Sequence, residues 1–335
     1  MYGVGAMGSI IARLLLEKGV TVGGAIARSP TKVGRDLGEV ADLGFRTGVI
    51  VESDPRVALS RRAPDIAVVA VGSYVQSMYE HFKLCLEHGV NVVTLEEESF
   101  YPWVTAPGLA AELDRIGKEN DATITGSGQQ DVYWTSMISL LMAAAHRVDI
   151  VQGRTTWNVD DYGPAVAAEV YAGETHEAFK GFVAENARAS LVVENALGAL
   201  IAEVGLTAKQ LQPETIPILA ETETRCDALG RSIRPGELLG VADAVTADTI
   251  EGTSFTFEMR GYVYRPDEVD VNEWVVRGDP AELRLFNDRI PTGLTSCVQV
   301  VNRIPDVINA PPGFITVDFL PRISYRPRPL GDYVV

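Results

Sequence analysis

The sequence predicts an α/β fold with two domains: an N-terminal doubly wound parallel sheet and a C-terminal α+β domain built on a mixed or antiparallel sheet. Strand and helix patterns alternate through the first 128 residues, and beyond them strand patterns follow one another directly. A chain of 335 residues is long enough for two cores. We therefore expect domains at 1–128 and 129–291, with a closing helix and tail, 292–335, that pack back on the first domain.

The chain opens with a glycine-rich turn that leads into a helix. Gly3, Gly5 and Gly8 have the spacing G-x-G-x-x-G, and "SIIARLLLEKGV" then shows apolar residues at helical spacing up to a terminal glycine. In the Rossmann fold such glycines make a tight turn, let the backbone approach a pyrophosphate and let the helix pack on its strand. The pattern predicts a dinucleotide-binding turn that includes Ala6 and Met7. A purely structural turn is the alternative, which the helix and strand patterns disfavour.

The strand that should deliver this turn is nearly absent. Only Met1 and Tyr2 precede Gly3, whereas a strand needs about five residues. Either the start has been placed late or the chain lacks its first residues. We expect a missing strand segment rather than a fold without the strand.

The segments after the turn carry the fold prediction. Continuous β-branched runs such as "DIAVVAVGS" and "VNVVTLE" are typical of strands buried on both faces, and "VQSMYEHFKLCLEHG" and "APGLAAELDRIGKEN" have helical spacing. Beyond residue 128, a helical stretch from about Thr175 to Glu203 is followed by the strands "LLGVADAVTADT", "TSFTFEMRGYVYR" and "DVNEWVVR". This succession of strands predicts the α+β second domain.

The composition excludes several classes of protein. A net charge of −16 disfavours nucleic acid and anionic membranes as partners, and no apolar run reaches the roughly 18 residues of a membrane span. Three cysteines without C-x-x-C spacing and four scattered histidines predict a reducing, cytoplasmic location and no metal site.

Three segments of the chain resemble one known family. They are the glycine turn at the very start, the stretch "NVVTLEEESFYPW" and the closing helix with "VNRIPDVINAPPG". Together they are similar to the dihydrodipicolinate reductase-like superfamily, and within it to the 2,4-diaminopentanoate dehydrogenases and native amine dehydrogenases, over nearly the whole chain. The paired histidines and the "PSGT"-like turn of true dihydrodipicolinate reductases are missing, so that activity is not expected.

The resemblance implies NAD(P)-dependent interconversion of a primary amine with a ketone or aldehyde plus ammonia. It also implies a homodimer built through the sheet of the second domain. After the sixth predicted strand this chain reads "GSGQQDVYW", where the diaminopentanoate enzymes tend to read "GVNPG". This departure speaks against a diamino acid substrate and predicts a more aromatic pocket.

Three adjacent acids, Glu96, Glu97 and Glu98, follow a predicted strand at its C-terminal end, where ligands bind in open α/β sheets. Oxidation of an amine needs a base for the ammonium proton, and burial raises the pKa of a carboxyl group toward neutrality. Register with the pair of glutamates of the family implies that Glu97 is the catalytic residue, with Glu98 as its catalytic neighbour. On composition alone, three adjacent acids form a solvated loop.

Trp134, Trp157 and Tyr162 are the predicted walls of the substrate pocket. Core packing is the alternative role for all three. The segment "WNVDDYGP" is rich in turn residues, which suits a loop over a site. The candidate pocket segments have few cations to clamp a carboxylate, which favours an amine or ketone without one.

Cofactor choice is read about 20 residues after the glycines. The second predicted strand ends there in Arg28 and Ser29, and no acid follows closely. Because Arg28 can pair with a 2′-phosphate, the sequence predicts that NADP(H) is preferred and NAD(H) tolerated; an ordinary exposed arginine is the alternative. Gly72 and Ser73, which end "VVAVGS", and Thr292, which precedes the closing helix, are expected near the nicotinamide end.

These observations lead to one main hypothesis and two alternatives. The main hypothesis is a reversible NAD(P)-dependent amine dehydrogenase for small primary amines. The second is a diamino acid dehydrogenase of the 2,4-diaminopentanoate type, and the third, from another class, is an NAD(P)-binding regulatory protein without catalysis.

In "TSFTFEMRGYVYR", Phe255, Phe257 and Met259 alternate on one face. A partner subunit is a candidate cover for that face, which also predicts a homodimer.

Overall fold

The computed structural model describes residues 1–61, 64–185 and 191–335. The chain divides into two units: the first comprises Met1–Ser136 together with Pro291–Val335, and the second comprises Met137–Ile290. The closing helix and the tail are thus part of the first unit.

The first unit contains a parallel sheet with helices between its strands. Its helices are α1 (Ala6–Glu17), α2 (Leu37–Val40), α3 (Pro55–Arg61), α4 (Val75–Glu87), α5 (Pro107–Glu119) and, as numbered along the whole chain, α10 (Thr292–Ile308). Its strands are β1 (Ala25–Ile26), β2 (Val51–Glu52), β3 (Ile66–Val69), β4 (Asn91–Thr94), β5 (Thr123–Gly126) and β14 (Gly313–Phe314).

The first three residues occupy an interior position of this sheet. Tyr2 pairs in parallel with Ile26 of β1 on one side and with Val69 of β3 on the other. The Tyr2 N–H donates to the carbonyl of Val68 at 2.8 Å, and the Gly3 N–H donates to the carbonyl of Ile26 at 3.0 Å. The order is therefore β2-β1-(residues 1–3)-β3-β4-β5-β14, so even this short segment runs where the strand before the glycine turn is expected.

Both faces of the first sheet are covered by helices. Val92 and Val93 are neighbours in β4, and their side chains point to opposite faces. Val92 belongs to a buried cluster with Phe82 of α4 and with α5, whereas Val93 belongs to a different buried cluster with Ile11 of α1 and with α10. This arrangement is the predicted doubly wound sheet, and the predicted fold class is confirmed.

The second unit is built on a six-stranded mixed sheet. The six strands of this sheet are β6 (Arg147–Asn158), β7 (Ala208–Leu219), β10 (Leu238–Thr249), β11 (Ser254–Tyr262), β12 (Val271–Asp279) and β13 (Leu283–Asp288), and β8 (Thr224–Cys226) and β9 (Arg231–Ile233) form a separate two-stranded sheet. Its helices are α6 (Met137–Met142), α7 (Pro164–Glu169), α8 (His176–Glu185) and α9 (Leu191–Glu203). The order is β13-β12-β6-β11-β10-β7, and within it only β6 and β11 pair in parallel. The predicted helix between Thr175 and Glu203 falls partly outside the described residues.

The face of this sheet that carries Phe255 and Phe257 is covered within the same chain. Both side chains are buried, Phe257 stacks on Trp274 with ring centroids 4.9 Å apart, and α9 packs on β10 and β11. The idea that a partner subunit covers these side chains is therefore wrong, because the chain supplies its own helix. The homodimer itself stays a prediction.

Candidate active site

The three glycines of the turn have the geometry of a dinucleotide cradle. Gly3 has φ +98°, and a Cβ on it would overlap the carbonyl oxygen of Ala70. Gly8 packs so closely that a Cβ would overlap the carbonyl oxygen of Gly3. At Gly5, the N-cap of α1, a Cβ would meet no atom within 4 Å. This open side faces the first N–H groups of the helix, which fits a pyrophosphate.

A cavity of about 220 Å³ adjoins the turn in the first unit. Its lining joins Gly3 and Gly5 to Arg28, Ser29 and Lys32, which follow β1. The Lys32 ammonium donates to the carbonyl of Val4 at 2.6 Å. No carboxylate belongs to the lining residues of this cavity. The predicted Arg28 and Ser29 therefore lie together with the glycine turn, and Lys32 is a further cation of the lining, to which the sequence assigned no role.

Two groups beside Arg28 were also missed. His81 of α4 lies between Arg28 and Tyr2: its Nε2 is 3.0 Å from a terminal nitrogen of Arg28, and its Nδ1 is 2.6 Å from the hydroxyl of Tyr2. Burial, followed by the positive charge of Arg28, lowers the pKa of His81. No sequence signal linked residues so far apart along the chain, because their proximity depends on how α4 packs on the sheet.

The other predicted cofactor residues lie at the ends of neighbouring elements. The backbone carbonyl of Ser73, beyond β3, accepts a hydrogen bond of 3.4 Å from the Glu98 N–H beyond β4. Thr292 is the first residue of α10. Five residues further along α10, the thiol of Cys297 lies 3.5 Å from the carbonyl oxygen of Met7 in α1. The start of α10 thus lies near the glycine turn, and Gly72 and Ser73 lie near the acidic triplet.

Glu96 is a buried support for the turn that contains the triplet. Its carboxylate accepts hydrogen bonds from the N–H groups of Glu98 and Ser99, each 2.9 Å long, and from the Ser99 hydroxyl. Burial raises the pKa of Glu96 to about 8, even though these hydrogen bonds favour the carboxylate. Glu96 therefore fixes the short 3₁₀ turn Glu98–Phe100 rather than facing a ligand.

Glu98 is buried too, and it caps the start of α4. One carboxylate oxygen accepts the N–H of Val75 at 2.7 Å, and the other accepts the hydroxyl of Thr105 at 2.8 Å. A carboxylate at this helix end satisfies a free N–H group and interacts favourably with the helix dipole. The predicted catalytic neighbour thus has an evident structural task.

Glu97 differs from both of its neighbours. It is only partly buried, and its carboxyl group contacts the side chain of Ser73 rather than backbone N–H groups. Burial raises the pKa of Glu97, and the hydrogen bond with Ser73 lowers it in part. A partly buried carboxyl group with a raised pKa, at the C-terminal edge of a parallel sheet, is suited to take up and return a proton.

A close approach of backbones holds the triplet in place. Gly126, at the end of β5, lies so near the 3₁₀ turn that a Cβ would overlap the N atom of Phe100.

Beyond Gly126, residues Gln130–Ser136 form a π-helix, a rare element that is frequent at functional sites. Asp131 in this π-helix forms a buried ion pair with Arg303 of α10. Asp131 also accepts a hydrogen bond of 2.9 Å from the Ser127 hydroxyl.

The predicted pocket aromatics fall in both units. Trp134 is buried in the π-helix of the first unit. In the second unit, Trp157 and Tyr162 form an edge-to-face pair with ring centroids 5.3 Å apart. Trp157 also packs over Gly261, where a Cβ would overlap the indole ring, and Tyr162 is half exposed. The structure therefore brings Trp157 and Tyr162 together, and their role as pocket walls stays a prediction.

Two kinds of feature are absent from the described residues. Among them, no group of three or more His, Cys, Asp or Glu side chains is arranged to hold a metal ion. In those same parts of the chain, no helix has the length and apolar character needed to cross a membrane.

Two family profiles match this chain. The profile described as "2,4-diaminopentanoate dehydrogenase C-terminal domain" matches residues 133–325, and the profile described as "Dihydrodipicolinate reductase, N-terminus" matches residues 1–94. Together they cover the glycine turn, the second unit and most of the closing helix and tail.

Individual relatives agree with these profiles. The chain is 27% identical to a 2,4-diaminopentanoate dehydrogenase of Acetoanaerobium sticklandii, over 96% of this chain and 92% of that protein. It is 50% identical to an amine dehydrogenase from Mycobacterium smegmatis, whose structure superposes with a TM-score of 0.88 over 98% of this chain and 96% of that one. A myo-inositol 2-dehydrogenase from Lactobacillus plantarum, 14% identical, shares the fold with a TM-score of 0.55 over 90% of this chain and 87% of that one.

Proposed function

This chain belongs to the 2,4-diaminopentanoate dehydrogenase family, and on that premise we propose that it catalyses the reversible oxidative deamination of a small primary amine. The predicted family and the predicted class, an oxidoreductase that acts on CH–NH2 groups, are confirmed by the relatives. The proposed reaction converts an amine, NAD(P)+ and water into a ketone or aldehyde, ammonium and NAD(P)H. Reductive amination is the reverse.

The state of Glu97 is the observation that supports this proposal most strongly. Of the three adjacent acids, Glu96 and Glu98 bind backbone N–H groups, and Glu97 contacts only a side-chain hydroxyl among the contacts described for it. An amine arrives at neutral pH as an ammonium ion, and it must lose a proton before its carbon can be oxidised. Glu97 is the proposed acceptor of this proton, and it can later activate the water that attacks the imine carbon.

The residues around the glycine turn would hold the cofactor. The open side of Gly5 and the first N–H groups of α1 suit the pyrophosphate, and Arg28 with Ser29 suits the ribose end. When bound, the nicotinamide supplies the hydride acceptor for deamination and the hydride donor for amination. The cavity that would hold the adenosine ribose is lined by cations and by no carboxylate. We therefore propose that NADP(H) is preferred and NAD(H) tolerated.

The substrate is proposed to be a small aliphatic or alicyclic amine without a carboxylate. The aromatic side chains Trp134, Trp157 and Tyr162 are the proposed walls, with Trp134 standing where the diaminopentanoate enzymes have a different segment. The relative that is 50% identical is named an amine dehydrogenase, whereas the named diaminopentanoate dehydrogenase is 27% identical. This difference favours the simple amine over the diamino acid.

The proposal is tested by incubating the purified protein with NADP+ and, in parallel, with cyclohexylamine or with 2,4-diaminopentanoate, and buffer without substrate is the blank. Formation of NADPH is followed at 340 nm, and the reverse reaction is followed with cyclohexanone, ammonium and NADPH. We expect turnover with cyclohexylamine. Turnover with the diamino acid alone would establish the second hypothesis, and cofactor binding without turnover of either would establish the regulatory protein.

A further inference from the structure

His81 links Tyr2, which lies in the first sheet, to the cavity beside the glycine turn. A guanidinium group has only donors, so Arg28 donates to Nε2 of His81 across their 3.0 Å contact. The proton of the neutral imidazole must then lie on Nδ1, where it is donated to the hydroxyl oxygen of Tyr2 at 2.6 Å. Tyr2 is buried in the sheet and its ring lies 5.1 Å from the imidazole. His81 is thus held in one tautomer, with Arg28 as its donor.

The cavity beside His81 has the charge of an anion site. Arg28, Lys32 and His81 all belong to its lining, and that lining contains no carboxylate. A site for NAD would place an acid against the ribose hydroxyls. Three basic groups around one small cavity instead suit a phosphate on the ribose.

The charges that face His81 come from several elements. They are Tyr2 in the sheet, Arg28 and Lys32 after β1, Arg56 of α3, and Glu80, Lys83 and Glu87 of α4. The positive charge of Arg28 opposes protonation of His81, whereas that of Glu80 favours it. A phosphate dianion bound in the cavity adds two negative charges to this balance and favours the imidazolium.

We propose that His81 selects the 2′-phosphate of NADP(H): it positions Arg28 at the cavity and takes up a proton when the phosphate binds. This inference rests on the proposed preference for NADP(H). The proton comes from solvent and is added to Nε2, which then becomes a donor. The hydrogen bond from Arg28 to Nε2 is lost in the same step, which frees the guanidinium to pair with the phosphate. NAD(H) carries no phosphate at this position and takes up no proton.

The test measures proton uptake by isothermal titration calorimetry of the full chain with NADP+ and with NAD+. Titrations at pH 7.5 in two buffers of different ionisation enthalpy give the number of protons bound. A phosphate has a second pKa of about 6, so the 2′-phosphate is already a dianion at this pH and contributes little uptake of its own. In the variant His81→Gln, the amide oxygen can accept from Arg28 but cannot titrate. His88→Gln, at an exposed histidine just beyond the same helix, is the matched control.

We expect the wild type and His88→Gln to take up a fraction of a proton with NADP+ and none with NAD+. In His81→Gln the uptake should vanish and NADP+ affinity should fall by up to about tenfold, the equivalent of one pKa unit. Equal uptake in the wild type and His81→Gln would overturn the role of His81 while the cofactor preference stands. Equal affinity of the wild type for NADP+ and NAD+ would overturn the preference and this role together. Should His81→Gln fail to fold, absence of uptake in the wild type still refutes the inference.

Discussion

Glu96, Glu97 and Glu98 show how one backbone turn gives three identical side chains different tasks. The turn directs Glu96 and Glu98 toward N–H groups, where their carboxyl oxygens accept hydrogen bonds and stabilise the backbone. Glu97 points instead to the hydroxyl of Ser73 and remains partly accessible. The sequence predicted where the acidic triplet lies, since acids after a buried strand are placed at the ligand edge of the sheet. It could not predict which carboxylates bind the backbone.

The structural task of Glu98 leads to a prediction about stability. Glu98→Ala removes the carboxylate that accepts from the Val75 N–H and the Thr105 hydroxyl, and a buried donor that is left unsatisfied costs about 1–3 kcal/mol. We expect the free energy of unfolding, measured by urea denaturation, to fall by that amount. Glu97→Gln is the control and should unfold like the wild type. A Glu98→Ala protein as stable as the wild type would contradict the capping role.

Arg28 leads to a prediction about cofactor choice. Loss of its charge-assisted contact with a 2′-phosphate costs about 1.5–3 kcal/mol, which corresponds to roughly 10- to 100-fold in affinity. We therefore expect Arg28→Ala to lower the ratio of kcat/KM for NADPH over NADH by this factor, mainly through KM. Arg13→Ala is the control, because Arg13 is exposed on α1 and pairs with Glu17. An unchanged ratio in Arg28→Ala would show that Arg28 is an ordinary surface cation.

At the level of elements, local patterns predicted the long helices well. Helices α1 and α4 end just before Gly19 and Gly89, as the sequence indicates. The sequence analysis did not identify β7, whose Pro213 and Pro217 disfavour a strand. The structure places β7 at the edge of its sheet, where proline is tolerated. The hydrophobic spacing of "DVYWTSMISLLMAAAHR" predicts an ordinary helix and gives no sign of the wider turn of the π-helix.

The π-helix is fastened to α10 by a buried ion pair, and this contact gives a second stability prediction. Asp131 and Arg303 are each 1% exposed. Asp131→Asn removes one of the two carboxylates that pair with Arg303 among the described residues and leaves Asp306 and the Pro321 carbonyl as acceptors; breaking a buried pair costs about 3–5 kcal/mol. We expect a loss near the lower end of this range in urea denaturation. Glu119→Gln, which breaks an exposed pair with Arg115, should cost less than about 1 kcal/mol. Equal small losses in both variants would contradict the anchoring role.

At the level of the whole molecule, the homodimer is now predicted on different grounds. Because α9 covers Phe255 and Phe257, a partner subunit would have to contact the opposite face of the second sheet. That face carries Arg154 of β6, which pairs with Glu273 of β12 at 2.9 Å. A polar face with paired charges can pack against a second copy of itself about a two-fold axis.

This arrangement predicts a mass of twice 36.2 kDa by light scattering at micromolar concentration. Arg154→Glu places two acids side by side on the proposed contact face, and it should shift the protein toward monomer. Arg13→Glu, on α1 of the first unit, is the control and should leave the mass unchanged. A wild-type mass of 36.2 kDa would refute the dimer, and a dimeric Arg154→Glu protein would exclude this face.

The central claim, that Glu97 is the proton acceptor of an amine dehydrogenase, is tested most directly by Glu97→Gln. The variant replaces the carboxylate at nearly equal volume, and amine-dependent formation of NADPH is measured beside calorimetric binding of NADP+ in the same preparations. Because burial raises the pKa of Glu97, deamination by the wild type should fall as the pH drops through this raised pKa, and the optimum should be alkaline since the amine must be neutral.

We predict that Glu97→Gln binds NADP+ like the wild type and loses turnover by roughly 100- to 10,000-fold, the usual effect of removing a general base. Glu119→Gln, an exposed acid of α5, should keep the wild-type rate. Turnover of amine by Glu97→Gln within a few-fold of the wild type, with an unchanged pH profile, would contradict the account.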